Sequence, residues 1–292
     1  MSDQLERFIF SKHDIRGQLV TLTDAYREVL TQNQLPLPVQ KLLGEFLAAS
    51  CLLATTLKFE GSLMLQARGE GNVPLLVAEC THQSDVRGLA RVAEGAEIEE
   101  RATLRELVGN RGALVITVDP QEGERYQGIV PLEKETLAEC LEDYFTQSEQ
   151  LQTRFWIESS ADTVGGIMLQ VLPGNNAASA VENEDAWETG VQLASTVTPE
   201  ELHSLPHEEL LFRLFHQLEP ASLGTANIRF KCSCSADRSA RALIAMGPED
   251  VYRLLEEQNG EITADCQFCN QTYRFDRDKV EELFNAPPHT LH

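Results

Sequence analysis

The chain has 292 residues, with 24 Lys and Arg against 46 Asp and Glu, a net charge of −22 and 42% hydrophobic residues. That length suits about two domains with a sizeable core and no need of disulfide staples. The charge opposes binding to nucleic-acid phosphates and to anionic membranes. The opening residues, MSDQLERFIF, lead into no apolar signal region, and no uninterrupted apolar run of about 18 residues follows, so a soluble cytoplasmic protein with no membrane span is expected.

In chain order, Ile15–Thr23 predicts a strand and Asp24–Gln32 a short helix. Pro38–Leu57 predicts a longer helix, because Leu42, Leu43, Phe46, Leu47 and Cys51 fall on one face. Short strands bounded by Gly, Asn and Pro follow at Ser62–Ala67, Pro74–Cys80, Val86–Val92, Ala113–Val118 and Tyr126–Val130, with Gln121–Glu124 as a hairpin loop. Glu133–Glu149 returns to helix, and Arg154–Glu158 and Gly166–Leu172 close the domain as strands. Neighbouring short strands with few crossover helices favour antiparallel sheets over a doubly wound fold.

The stretch Pro173–Ala180 is rich in turn formers and lies in a gap without Lys or Arg from Arg154 to Arg213, which marks a domain boundary. Residues 181–219 read as helical. Thr198-Pro199-Glu200-Glu201 supplies a cap, a first-turn proline and a capping-box glutamate. Leu210, Leu211, Leu214, Phe215 and Leu218 then form an apolar stripe on an acidic segment. Two helices cannot bury such a stripe alone, so it docks on something, either permanently or conditionally. The expected class is α+β: a mixed or antiparallel sheet domain over 1–178, a helical linker over 179–231, and a small C-terminal domain over 232–292.

The C-terminal segment carries the chemistry. Cys232-Ser233-Cys234 and Cys266-Gln267-Phe268-Cys269 are separated by 31 residues with no histidine between them. Two thiolates from each of two short loops suit one tetrahedral zinc ion, and in a reducing compartment paired cysteines favour metal or redox chemistry over structural bridges. Asn270 suits the left-handed turn such knuckles use. A module this small depends on the metal to fold. Each pair is also close enough to oxidise within itself, which would remove every ligand and make oxidation an unfolding switch. Cys51, Cys80 and Cys140 fall on apolar faces and read as inert core residues. His203, His207 and His216 read as solvated, and the doublets Glu99-Glu100 and Glu208-Glu209 as solvated faces.

With these residues in view, the chain resembles the redox-regulated thirty-three-kilodalton heat-shock chaperone family of bacteria over essentially its whole length. The cysteine arrangement is the most specific feature. Leu107–Asn110, Glu122–Gly128, Leu141–Gln150 and Gly165–Gln170 support it, and Asn270 departs from the family's frequent glycine. The resemblance implies an ATP-independent holdase rather than an enzyme. Its reduced form, with one zinc on Cys232, Cys234, Cys266 and Cys269, is inactive. Oxidation to Cys232–Cys234 and Cys266–Cys269 bridges releases zinc and unfolds the switch and linker. The activated homodimer then holds unfolded clients for ATP-dependent foldases, with the Leu210, Leu211, Leu214, Phe215 and Leu218 stripe as a client-binding candidate. A thiol-disulfide oxidoreductase would leave Cys232 and Cys234 without a role. A constitutive binding protein with a structural zinc, including a nucleic-acid module, is the other alternative, and the acidic balance of 232–292 opposes nucleic acid.

Overall fold

The computed structural model describes residues 3–56, 60–174 and 179–285. Leu57, the expected helix end, and 175–178 of the expected boundary lie outside these. The chain divides into two compact units, Met1–Lys231 and Cys232–His292.

The first unit runs β1 (Gln4–Phe10), β2 (Ile15–Leu22), α1 (Asp24–Thr31), α2 (Leu37–Ala54), β3 (Gly61–Arg68), β4 (Leu75–Thr81), β5 (Asp85–Arg91) and α3 (Leu104–Val108). It continues with β6 (Ala113–Pro120), β7 (Tyr126–Pro131), α4 (Leu137–Tyr144), a π-helical turn at Phe145–Glu149, β8 (Thr153–Ser159) and β9 (Val164–Val171). Helices α5 (Ala180–Ala194), α6 (Pro199–Ser204) and α7 (His207–Phe215) follow, then strands β10 (Pro220–Asn227) and β11 (Arg229–Phe230). One sheet has the order β10-β1-β2-β9-β8 and the other β11-β5-β4-β3-β6-β7. Every pairing in them is antiparallel except the short β11–β5 contact. The 179–231 segment is therefore helical only as far as Leu218, and its last residues are strands. The stretch PASLGTAN lacks apolar alternation because β10 is an edge strand, and five of its eight residues are exposed.

Helix α2 packs between the sheets in the larger core, which includes Leu43, Phe46, Leu47, Leu52, Leu65, Leu76, Val20 and Met168. By length and composition alone α2 could cross a membrane, but it is mostly buried inside the protein. A Cβ at Gly44 would stand 2.5 Å from Ser159 Oγ, so the glycine lets the helix approach β8 and β9. The expected inert cysteines are all here: Cys51, Cys80 and Cys140 are buried in this core, and burial pushes the Cys51 and Cys140 thiols up.

The five-stranded sheet is covered on its other face too. Phe8, Phe10, Ile15, Leu19, Ile167 and Leu169 point away from α2 and form a second core with Trp187, Ala194, Leu202 and the α7 residues. This explains why β2 and β9 are buried at nearly every position. Two glycines make the close approach possible. Phe8 lies over Gly17, where a Cβ would stand 2.0 Å from its ring. Leu202 of α6 lies over Gly165, where a Cβ would stand 2.6 Å from the Leu202 carbonyl oxygen.

In the six-stranded sheet Arg87 and Glu79 pair across β4 and β5 at 2.6 Å, with side chains 12% and 9% exposed. Removing one partner strands a buried charge, so Arg87→Ala is expected to cost about 3 kcal/mol or more. Arg87→Ala with Glu79→Ala should recover part of that loss in urea unfolding. Additive losses in the double variant would count against a coupled pair.

The second unit is small: α8 (Ala236–Met246), α9 (Pro248–Glu257), the hairpin β12 (Glu261–Asp265) with β13 (Thr272–Asp276), and α10 (Arg277–Asn285). Its buried core is Ala240, Leu243, Val251, Leu255, Ile262, Phe275 and Val280.

Candidate metal centre and docked apolar face

The four C-terminal cysteines come together. Their sulfurs all lie within 4.8 Å of one another, and each residue is part-buried. Cys232 and Cys266 sulfurs are 3.6 Å apart, and those of Cys234 and Cys269 3.4 Å. Four thiolates bonded at ~2.3 Å to one tetrahedral ion stand about 3.8 Å apart, so the cluster is positioned to hold a metal ion.

Local sequence builds both halves. The second pair occupies the turn of the β12–β13 hairpin, just after Asp265, which pairs with Thr272. Asn270 adopts φ 55° and its N–H donates to the Cys266 carbonyl at 2.7 Å, while the Cys266 N–H donates to the Gln271 carbonyl at 2.9 Å. The expected left-handed asparagine is thus present. The first pair lies on the loop before α8. Ser235 caps that helix by accepting from the Arg238 N–H, and the Arg238 guanidinium donates to the Ser233 carbonyl at 3.1 Å and to its Oγ at 2.7 Å. Arg238 so fixes the residue between the two ligands.

The Tyr273 hydroxyl donates to Cys234 Sγ at 3.1 Å. Burial works against ionisation of the Cys234 thiol, but this donor and the neighbouring thiols outweigh it and hold Cys234 down at about 7. Neither Arg238 nor Tyr273 was singled out by spacing. The alternation of Thr272–Phe275 was the available signal, since it puts Tyr273 on the face of β13 that carries the buried Phe275.

The apolar stripe lies elsewhere, on the first unit. Leu210, Leu211, Leu214 and Phe215 are buried and Leu218 is partly buried, all in the second core against β1, β2 and β9. Phe215 stacks on Phe8 with ring centroids 5.6 Å apart and meets Phe10 at 5.4 Å with its ring tilted by 59°. Phe212, on the opposite side of α7, is 68% exposed. The capping box expected at Thr198 and Glu201 is formed.

With metal centre and docked face in place, the likenesses to known proteins are specific. The family described as Hsp33 protein matches residues 3–276. The chain belongs to the Hsp33 family. A 33 kDa chaperonin of Pseudomonas fluorescens (strain SBW25) is 46% identical over 296 residues, covering 100% of this chain and 98% of that protein. A 33 kDa chaperonin of Azotobacter vinelandii is 46% identical over 295 residues, covering 99% of each. The crystal structure of the 33 kDa chaperonin from Thermotoga maritima superposes with a TM-score of 0.78 at 21% identity, over 97% of this chain and 98% of that one, which shows a shared fold. The Hsp33 assignment is to a chaperone family, and the four-cysteine cluster is the kind that binds zinc and responds to oxidants.

One expected solvated residue is not solvated. His207, at the start of α7, is 7% exposed and faces the sheet. Its Nε2 is 2.9 Å from Thr21 Oγ1. Its Nδ1 has no hydrogen-bond partner and stands 4.0 Å from Glu6 Oε2. The periodicity of α7 places His207 on the same stripe as Leu210, Leu211 and Leu214, which is why it is covered. Burial pushes its pKa down to about 4. The docked state therefore binds fewer protons than the undocked one, so docking is fully supported above about pH 6.5 and weakens as pH falls toward 4. The loss at pH 5 is expected to be about 2 kcal/mol. Trp187 fluorescence across a pH titration, with His207→Gln as control, checks this; an unchanged pH profile in the variant would sink it.

Proposed function

We propose that the chain is a redox-regulated, ATP-independent holdase and has no catalytic centre. One zinc ion, bound by Cys232, Cys234, Cys266 and Cys269, locks the reduced form in an inactive state. Four sulfurs spaced for one tetrahedral ion, in a unit whose own core is a few side chains, support zinc as a condition of folding. The domain assignment follows: a sheet domain over 1–178, a linker over 179–231, and a zinc-dependent switch over 232–292.

Oxidation by hydrogen peroxide forms Cys232–Cys234 and Cys266–Cys269 bridges. A thiolate attacks the peroxide, the O–O bond breaks and the sulfur carries the hydroxyl. The second thiolate of the pair then displaces hydroxide and closes the S–S bond. In sum, four thiolates, two peroxides and four protons give two disulfides and four waters, and the ion leaves. The switch unfolds and the linker undocks. Leu210, Leu211, Leu214, Phe215 and Leu218 then become client-binding surface together with the sheet face they leave. Exposed contiguous apolar surface is what a holder of unfolded chains requires, and the charge of −22 keeps such a surface soluble. The active form is a cytoplasmic homodimer that passes clients to ATP-dependent foldases.

The observation that carries this reading is the pairing of a metal-ready thiol cluster with an apolar helical face already docked on the family's fold. Aggregation of a heat-unfolding client, with the protein reduced and zinc-loaded or peroxide-oxidised, tests it. Suppression by the oxidised protein alone is expected. Equal suppression by both would leave a constitutive binder with a structural zinc.

A further inference from the structure

The surroundings of the four sulfurs are not symmetric. Tyr273 stands on β13 opposite Ala264 of β12, so the hairpin that carries Cys266 and Cys269 fixes its ring. Yet its hydroxyl reaches across to the other half of the cluster and donates to Cys234 Sγ at 3.1 Å. The ring itself packs on the unit's core beside Phe275. The hydroxyl is therefore held by packing that does not depend on it.

A donor at a thiolate has two consequences. Where the sulfur is already a thiolate, as a metal-ligating cysteine must be, the donor draws on the lone pairs that attack a peroxide and lowers their nucleophilicity. It also offsets part of the charge of a four-thiolate site, whose net charge stays negative with one divalent ion bound. Partners of this kind, one step beyond the ligands, tune both retention and reactivity of a metal site.

We propose that Tyr273 is the positioning residue that restrains the thiol switch, its hydroxyl holding Cys234 back from oxidation and the metal in place. This rests on the redox reading above and adds a residue outside the ligand set. In the restrained step the Cys234 sulfur attacks hydrogen peroxide, the O–O bond breaks, Cys234 becomes S–OH, and the departing hydroxide takes up a proton to become water. Cys232 then displaces hydroxide from S–OH to close the bridge. Loss of the Tyr273 hydrogen bond raises the rate of the first event and leaves the second untouched.

The test uses the full-length zinc-loaded protein and follows zinc release to a chromophoric chelator after peroxide is added. Tyr273→Phe keeps the ring and removes the donor. Its initial rate is expected to rise about five-fold, the equivalent of one net hydrogen bond. Phe275→Leu loosens the same core without touching the hydroxyl and is expected to release zinc at the parent's peroxide-dependent rate. A ring-monofluorinated tyrosine at position 273, a stronger donor, is expected to be slower than the parent and does not depend on Tyr273→Phe folding. A Tyr273→Phe rate within twofold of the parent, an equal acceleration in Phe275→Leu, or a fluorotyrosine protein no slower than the parent would each overturn the proposal. If the parent itself keeps its zinc with all four thiols oxidised, the redox reading fails first and the restraint falls with it.

Discussion

Replacing Cys269 with serine is expected to remove the metal and the fold of residues 232–285 together, while the sheet domain from β1 to β9 stays folded. The reason is one of scale. The buried core of the second unit is Ala240, Leu243, Val251, Leu255, Ile262, Phe275 and Val280. Such a core does not outweigh the conformational entropy of the ordered residues around it. A structural zinc site supplies ~10 kcal/mol or more of apparent binding energy at neutral pH, and where no site exists in the unfolded chain that energy is folding energy. A serine hydroxyl is a poor replacement for a thiolate, so the tetrahedral set is broken. The sheet domain has no such dependence, since the larger core around α2 holds most of the buried apolar residues. The measurement is zinc content together with amide hydrogen exchange across the chain. Fast exchange over 236–285 with full protection of β1 to β9 is expected. Protected α8 and α9 in a zinc-free Cys269→Ser protein would show that the small core suffices alone.

The same contrast explains what the sequence made legible. The thiol cluster was readable because four ligands at short spacing carry one meaning in a reducing compartment, and Asn270 was readable because few residues accept a left-handed φ. The strands from Ile15 to Leu172 were readable because Gly, Asn and Pro punctuate them. The first strand, Gln4–Phe10, was not, since Leu5 faces one core while Phe8 and Phe10 face the other, and Glu6 and Arg7 interrupt the run. Strand β10 was hidden for the opposite reason, having little apolar alternation at all. A strand whose two faces meet two different cores, or an edge that meets none, does not write a period-two pattern. His207 and Tyr273 were missed because each acts through a partner far away in the chain, Thr21 in one case and Cys234 in the other. Helical or strand periodicity gives a side chain its face; it does not say what lies across from that face.

Gly165→Val is the substitution expected to separate docking from the apolar stripe. The stripe residues stay intact and so does the thiol cluster. What changes is the seat: a Cβ at 165 would stand 2.6 Å from the Leu202 carbonyl oxygen and 2.8 Å from the Leu202 Cβ. Backbone cannot yield as a flexible side-chain tip would, so α6 must lift from β9. The larger core is spared, because residue 165 points to the side of the sheet that faces Leu202 rather than α2. Overpacking of this kind costs typically about 1–3 kcal/mol and falls here on docking alone. Lifting α6 loosens α7 and uncovers Ile167, Leu169 and the faces of Phe8 and Phe10, which now rest against Phe215. If docking is what silences the reduced protein, the reduced, zinc-loaded Gly165→Val protein should bind an apolar fluorescent dye and suppress client aggregation without any oxidant. Phe215→Ala, which forfeits about 3–5 kcal/mol of core packing, should also undock but hold clients less well, because it deletes part of the surface that would bind them. A Gly165→Val protein that binds the dye yet leaves clients to aggregate would place the client surface elsewhere than on this face.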